Sequence, residues 1–241
     1  MKRKWLVYLA FFALLFTVFL IVISRSFDFT KSNLGVINNN VEAFSFTSQD
    51  GKTITEKEVE GKVYVAEYFF TTCRGICPKM NANMRRVWDA YKEEKDFLIL
   101  SHSCMPEVDS VPLLKAYESW MINGALIKNE DGSVKIIPSP EKKEINNGNW
   151  FFLTGDKTAL YRMARGSYMI DNNKTDTVQK TVNDFLHTQF FALVDKQRRV
   201  RGIYDGLKID EVEKLISDIK GLLKERAEAS GFKNGFSNTP N

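Results

Sequence analysis

The 241-residue sequence is poor in the two residue types that hold most metal and disulfide sites together. It contains two histidines and three cysteines. Three cysteines are too few for the disulfide scaffold of a small exported domain. The 34 basic and 30 acidic residues nearly balance at a net charge of +4, and no basic stripe alternates with aromatic residues. The composition therefore excludes a disulfide-stapled domain and argues against a nucleic-acid partner.

An apolar run stands at the N-terminus. Residues 5–23 carry no charge, and three basic residues (2–4) precede them. Nineteen helical residues span about 28 Å, close to the thickness of the bilayer core. Neither a small-x-small cleavage motif nor a lipobox-type cysteine is present, so residues 1–25 predict an uncleaved membrane anchor rather than a cleaved signal peptide. The preceding positive charges predict a single-pass protein of the bacterial inner membrane, with its soluble domain on the periplasmic or extracytoplasmic side.

The rest of the chain predicts one folded domain. Residues 26–40 predict a polar linker, 41–226 the domain, and 227–241, rich in Gly, Ser and Asn, a flexible tail. Hydrophobic periodicity predicts a hairpin at 41–55, strands at 62–70, 97–101, 150–153, 190–194 and 200–203, and helices at 78–91, 110–121, 156–165 and 209–226. Residues 124–149 predict an inserted hairpin and loop. This order is typical of an α/β three-layer fold, in which chemistry collects at the carboxyl ends of strands.

Two cysteines, Cys73 and Cys77, follow the strand predicted at 62–70. Pro78 can open a helix, which places Cys77 at the helix N-terminus and Cys73 in the preceding loop. Unpaired amides and the helix dipole at this position are expected to lower the pKa of the thiols. Thiolates bind soft metals such as Cu(I) and also attack disulfides. The pattern therefore predicts a redox-active pair, a metal site, or both.

A third ligand would favour the metal site. His187 precedes the strand predicted at 190–194 in a chain with little histidine, which makes it the candidate, although a structural histidine is the alternative. Three residues separate the cysteines, whereas redox enzymes with a thioredoxin-like fold usually have two. Without a metal, the pair could serve an exported thiol–disulfide oxidoreductase, a peroxide-reducing thiol enzyme, or a disulfide with no chemical role.

Several motifs, in order along the chain, resemble the Sco/SenC family of membrane-anchored, thioredoxin-like copper proteins. The matching pieces are Phe69-Phe70-Thr71-Thr72-Cys73, Cys77-Pro78-Lys79-Met80, Asp109 with Pro112 and Leu114-Lys115-Ala116-Tyr117, Trp150 to Asp156, His187 before 190–195, and Arg201 to Gly206. The resemblance covers residues 41–220, and the spacing of the two cysteines together with the later histidine is its most specific part.

The resemblance implies that Cys73, Cys77 and His187 bind one copper ion, as Cu(I) or Cu(II). It implies a thioredoxin-like domain that acts as a copper chaperone rather than as a conventional enzyme. Such a chaperone would deliver copper to the copper-accepting subunit of a respiratory cytochrome oxidase, or prepare the thiols of that subunit. Other copper carriers and thioredoxin-like reductants are further expected partners.

Two segments depart from the family pattern. The family usually has a Val-Asp-Pro-Glu-Arg-Asp-like stretch where this chain has residues 104–109, Cys-Met-Pro-Glu-Val-Asp, and residues 124–149 are longer than the usual connection. Cys104 is interpreted as a small buried residue. An alternative disulfide from Cys104 to Cys73 or Cys77 is the second hypothesis. His102, at the same strand end, is interpreted as structural or as a neighbour of the site.

Overall fold

The structure is a computed structural model that describes residues 2–26, 32–131, 133–139, 147–171 and 188–225. Its strands are β1 (Ser45–Ser48), β2 (Thr53–Thr55), β3 (Val63–Phe69), β4 (Phe97–Ser103), β5 (Ala125–Lys128), β6 (Val134–Ile137), β7 (Trp150–Thr154), β8 (Phe190–Val194) and β9 (Val200–Asp205). Its helices are α1 (Lys2–Ser26), α2 (Cys77–Tyr91), α3 (Val111–Asn123), α4 (Lys157–Arg162) and α5 (Ile209–Lys224).

Seven strands form a mixed sheet in the order β2-β1-β7-β4-β3-β8-β9. The three central strands β7, β4 and β3 are parallel, and the outer pairings are antiparallel. Every residue of β3 and β4 is buried, as expected for strands covered on both faces. Strands β5 and β6 form a separate hairpin between α3 and β7, as the sequence predicted for the insertion.

Each face of the sheet has its own hydrophobic core. One face packs against α2, α3 and α5 through side chains such as Met84, Met121 and Leu215. The other face packs against α4 and the residues after it, through side chains such as Leu160 and Tyr168. The predicted α/β three-layer arrangement is therefore confirmed.

Two predicted elements differ in detail from the structure. Helix α2 begins at Cys77, one residue before Pro78, because Pro78 occupies a first-turn position where its missing N–H costs nothing. The helix predicted at 156–165 is α-helical only over α4, and it continues as a π-helical turn at Met163–Ser167. In that turn the Tyr168 N–H donates to the Met163 carbonyl at 2.8 Å.

Helix α1 covers the apolar run at the N-terminus. Many of its large side chains, such as Trp5, Phe12 and Phe16, are more than half exposed. Judged by length and mean hydropathy, no helix within the described part of the chain qualifies as a membrane-crossing segment.

Residues 32–40, part of the predicted linker, are hydrogen-bonded to the domain. Asn38 forms an isolated bridge with Val200. The Ser32 N–H donates to Glu225 Oε1 at 2.7 Å, and Arg201 donates to the Leu34 carbonyl. These hydrogen bonds join the segment to the end of α5 and to β9. The predicted tail, 227–241, lies outside the described residues.

Candidate functional site

Cys73 and Cys77 lie at the carboxyl edge of the parallel strands. β3 ends at Phe69, opposite Ser103 at the end of β4, and the chain then turns through a short loop into α2. Strands β4 and β8 flank β3, so this loop leaves the middle of the sheet. The fold thus places both cysteines where open α/β sheets carry their chemistry.

The two thiols differ in exposure. Cys73 is half-buried, whereas Cys77 is 6% exposed. All three cysteines are free, and the Cys73 side chain is close enough to Cys77 to raise the pKa of its thiol. The Cys73 N–H donates to the Phe70 carbonyl at 3.2 Å, which closes the loop. Cys73 is therefore accessible to a partner, whereas Cys77 is buried.

The expectation of a lowered thiol pKa is wrong for Cys77. Burial is the largest cause and raises the pKa of Cys77 well above its usual range, and the hydrogen bond and charge of Cys73 act in the same direction. A hydrogen bond from the Phe70 backbone opposes them but is smaller. Desolvation outweighs the helix N-terminus here because the thiolate, unlike the thiol, needs solvation. In the metal-free reduced state Cys77 is a thiol.

Asp109 holds the cysteine loop against the end of β4. Its carboxylate is fully buried and accepts hydrogen bonds from Thr71 Oγ1 at 2.6 Å and Thr71 N at 3.2 Å. It also accepts one from Ser103 Oγ at 2.5 Å. Thr71 is two residues before Cys73, so this carboxylate determines where the loop leaves the sheet. Asp109 entered the sequence comparison only as a motif residue, and its role is visible only in the fold.

A second buried carboxyl, Glu67, lies on β3, on the face of the sheet that packs against α2. Its Oε1 accepts a hydrogen bond from Ser101 Oγ at 2.6 Å, and Ser101 Oγ accepts one from Trp150 Nε1 at 2.9 Å. Its Oε2 has no partner among the described residues. Burial raises the pKa of Glu67 to about 8. The sequence analysis did not single out Glu67, although a carboxyl inside the apolar run 63–70 was a visible signal.

His102 is a structural residue, as predicted. It is fully buried on β4 and its ring stacks on Tyr68 with centroids 5.0 Å apart. Nδ1 lies 3.2 Å from the Leu100 carbonyl, and Nε2 has no partner among the described residues. Burial lowers the pKa of His102 to about 4, so the ring is neutral at physiological pH. It lies in the aromatic core on the face opposite α2.

Cys104 is buried in that same core, in agreement with the first interpretation of this residue. Its N–H donates to the Phe69 carbonyl at 2.7 Å, and its carbonyl accepts a hydrogen bond from Tyr161 Oη at 2.9 Å. Burial raises the pKa of its thiol, and the charge of Cys73 contributes in the same direction. The alternative disulfide with Cys73 or Cys77 stays a hypothesis, since Cys104 is free.

The third predicted ligand, His187, lies outside the described residues. The described residues contain no group of three or more His, Cys, Asp or Glu side chains that could hold a metal ion. Strand β8 runs antiparallel to β3, with Ala192 opposite Ala66, so the amino end of β8 lies at the same edge as the cysteine loop. Thr188, the first described residue before β8, follows His187 directly. The role of His187 as a ligand stays a prediction.

Comparison with known proteins gives a consistent family assignment. The SCO1/SenC family model matches residues 37–128 and 141–224. The SCO1 protein homolog of Bacillus subtilis (strain 168) is 28% identical over 186 residues, which cover 76% of this chain and 83% of the relative.

Solved structures show the same fold. BsSco, a member of the Sco family of cytochrome c oxidase assembly proteins in which a disulfide switch was identified, aligns with a TM-score of 0.57 at 26% identity, over 79% of this chain and 98% of its own. ScoI of Bradyrhizobium japonicum, solved with copper bound, aligns with a TM-score of 0.51 over 76% and 99% of the two chains. At 20% identity that second similarity shows the fold alone.

Proposed function

The chain belongs to the SCO1/SenC family, and from this premise we propose that it is a copper chaperone whose Cys73, Cys77 and His187 hold one copper ion as cargo. The acceptor is the copper-binding subunit of a respiratory cytochrome oxidase. The observation that carries the proposal is the pair of free cysteines, one half-buried and one buried, on a loop that leaves the middle of the sheet.

The chemistry of this pair suits a soft ion that must be released again. Two thiolates favour Cu(I), and an imidazole can complete a three-ligand site in either copper oxidation state. Loading requires the pair to lose its protons, and burial of Cys77 makes that loss unfavourable without a metal. Binding is therefore coupled to proton release, so copper affinity should fall as the pH falls.

Transfer can proceed by ligand exchange. Cys73 is the more exposed sulfur, so an incoming thiolate from the acceptor would displace it first, and Cys77 would follow. Thiol–disulfide exchange with a disulfide of a partner protein, which is reduced to a dithiol, would convert the pair to a Cys73–Cys77 disulfide, remove both sulfur ligands and complete release.

Copper stoichiometry of the purified protein tests the proposal. The wild-type protein should bind one equivalent, and Cys73→Ser should lose most of it because one sulfur remains from the pair. Cys104→Ser is the matched control, since it also removes a free thiol, and it should retain the full equivalent. Retention of copper by Cys73→Ser at wild-type affinity would show that the loop is not the metal site.

His187→Ala separates the chaperone from the second candidate function, an exported thiol–disulfide oxidoreductase without copper delivery. That alternative is favoured by the closeness of the two free thiols on one short loop, since Cys73 raises the pKa of the Cys77 thiol. His187→Ala should lower copper affinity and change the absorption spectrum of the copper complex while thiol exchange stays normal. Unchanged copper binding in this variant would favour the oxidoreductase.

We further propose that α1 anchors the protein in the inner membrane with the domain on the periplasmic or extracytoplasmic side. The uncharged run 5–23 behind three basic residues and the exposed apolar side chains of α1 support this. Fractionation of cells and protease treatment of intact spheroplasts test it. The protein should sediment with membranes, and the domain should be digested from outside.

A further inference from the structure

The β5–β6 hairpin forms one wall of a groove beside the cysteine loop. The groove encloses about 420 Å³, and its lining comes from the loop and the start of α2 on one side and from Asn129, Asp131 and residues 133–135 on the other. The residues on the loop side are Arg74, Gly75, Pro78 and Lys79. Arg74 and Gly75 follow Cys73 directly, so a chain lying in the groove would pass beside the accessible sulfur.

The hairpin wall is held firmly in place. Gly124 directly precedes β5. A side chain has no room at this position, because an added Cβ would lie 2.3 Å from Ile136 Cγ2 and 2.6 Å from the Trp120 carbonyl. Val134 is buried, and Ile136 packs against the core beneath α2 and α3. Arg85 of α2 donates to the Ile122 carbonyl at 2.6 Å, which fixes the end of α3 from which the hairpin starts.

The groove has an excess of positive charge. Three of its lining residues, Arg74, Lys79 and Lys135, are exposed cations, and none of them makes an ion pair with a residue that the structure describes. Among the described residues, Asp131 is the single carboxylate in the lining. Its Oδ1 already accepts hydrogen bonds from Ser133 N at 2.9 Å and Ser133 Oγ at 2.6 Å.

We propose that this groove receives an acidic, cysteine-bearing segment of a partner protein, namely the partner that undergoes thiol exchange or copper exchange with Cys73. Complementary charge attracts and orients such a segment, while a basic segment is repelled. The inference rests on the proposed function in one respect, since it assumes that Cys73 reacts with a partner protein. The segment 124–149, which is longer than the usual connection of the family, would then help to select the partner of this chain.

Thiol–disulfide exchange provides the test without copper. The Cys73 thiolate attacks one sulfur of a peptide disulfide and releases the other as a thiolate. Cys77 then attacks Cys73, forms the Cys73–Cys77 disulfide and releases the peptide as a dithiol. Two electrons pass from the protein to the peptide. The probes are a synthetic disulfide peptide flanked by glutamates and its twin with glutamine at every glutamate position.

The reduced wild-type protein should react about tenfold faster with the glutamate peptide than with its twin at low salt, and the advantage should fade as salt screens the charges. Lys79→Gln with Lys135→Gln should slow the glutamate peptide by about threefold to tenfold and leave the twin unchanged. Lys128→Gln is the matched control, because Lys128 is exposed on β5 but does not line the groove.

Equal rates for the two peptides in the wild type would overturn the proposal, as would an equal loss in the Lys128→Gln control. Copper stoichiometry of Cys73→Ser keeps the two proposals apart. If the peptide preference is absent and Cys73→Ser loses its copper, the groove proposal is wrong and the chaperone proposal stands. If the peptide preference is present and Cys73→Ser keeps its copper, the groove proposal stands and the chaperone proposal is wrong.

Discussion

At the carboxyl edge of the sheet, Cys73 and Cys77 lie on the loop that enters α2, whereas Cys104 packs into the core of the opposite face. Each face also buries one ionisable side chain on a central strand, Glu67 on the side of α2 and His102 on the other. On the first face, buried carboxyls lie beneath a cysteine loop that is open to partners. On the second face, the Cys104 thiol and the His102 ring are packed in the core.

The difference shows that residue type does not identify a site in this fold. Cys77 and Cys104 are similarly buried, and burial raises the pKa of both thiols. What separates them is the neighbour. Cys77 has the half-buried thiol of Cys73 close to it, and Cys104 has the hydroxyl of Tyr161 at its carbonyl and apolar groups around it.

Asp109→Ala should have the largest effect on the site face. It leaves Thr71 and Ser103 without their buried acceptor, and hydrogen bonds to a charged group contribute about 1.5–3 kcal/mol each, so we expect a loss of about 3 kcal/mol in the free energy of unfolding. Urea unfolding measures it. The reactivity of Cys73 toward a thiol reagent should rise as well, because its loop is no longer held.

Tyr161→Phe on the opposite face is the control for Asp109→Ala. It removes one neutral hydrogen bond to the Cys104 carbonyl and should cost about 1 kcal/mol without changing the reactivity of Cys73. If Asp109→Ala is no more destabilising than Tyr161→Phe, the loop does not depend on the carboxylate and the contrast between the faces fails.

The two buried ionisable groups should give stability opposite dependences on pH. The folded pKa of Glu67 is raised from 4.5 to about 8, so its contribution is fully present below pH 4.5 and is lost as the pH rises to about 8. The folded pKa of His102 is lowered from 6.5 to about 4, so its contribution is present above pH 6.5 and is lost as the pH falls to about 4.

Variants at Glu67 and His102 isolate the contribution of each group to the pH dependence of stability. The stability of the wild type relative to Glu67→Gln should fall by up to about 1.4 kcal/mol per pH unit between pH 5 and 7.5. Relative to His102→Phe it should rise between pH 4.5 and 6. Chemical unfolding across this range measures both. A flat difference for Glu67→Gln would show that the carboxyl is solvated and ionised in the folded protein.

Cys104→Ala should have the smallest effect. Removing one buried sulfur from an aromatic core should cost about 1 kcal/mol, and the copper content should not change. The measurement is thermal unfolding together with mass mapping of the oxidised protein. A disulfide between Cys104 and either loop cysteine in the wild type would instead assign Cys104 to the chemistry of the site.

Most of the fold was predictable because the core strands are continuous apolar runs. Residues 62–70 predicted a buried strand, which is β3 in the structure, and Pro78 predicted the start of α2 to within one residue. The position of the cysteine pair was also predictable, because the strand before it and Pro78 after it are both visible in the local sequence. The thiol pKa was not, because burial of Cys77 depends on how the loop packs, and the sequence shows only the helix terminus.

Contacts between distant segments were beyond the sequence pattern. Residues 32–40 are polar and predicted a linker, but their backbone hydrogen bonds to Val200 and Arg201 carry no hydrophobic signal. The packing of the inserted hairpin against the end of α3 depends on a close approach at Gly124, which no periodicity reports. Asp109 reaches Thr71 across 38 residues of chain, so its function depends on the sheet register.

The hydrogen bonds of residues 32–40 have a consequence for where the domain can act. With that segment fastened at the corner formed by Glu225 and Arg201, five residues, 27–31, lie between α1 and the fastened part of the chain. Fully extended, they reach about 20 Å. Under the proposed anchoring, this reach limits how far the domain can move from the bilayer. The domain would then meet only those acceptors whose own metal-receiving loops lie within the same distance of the membrane.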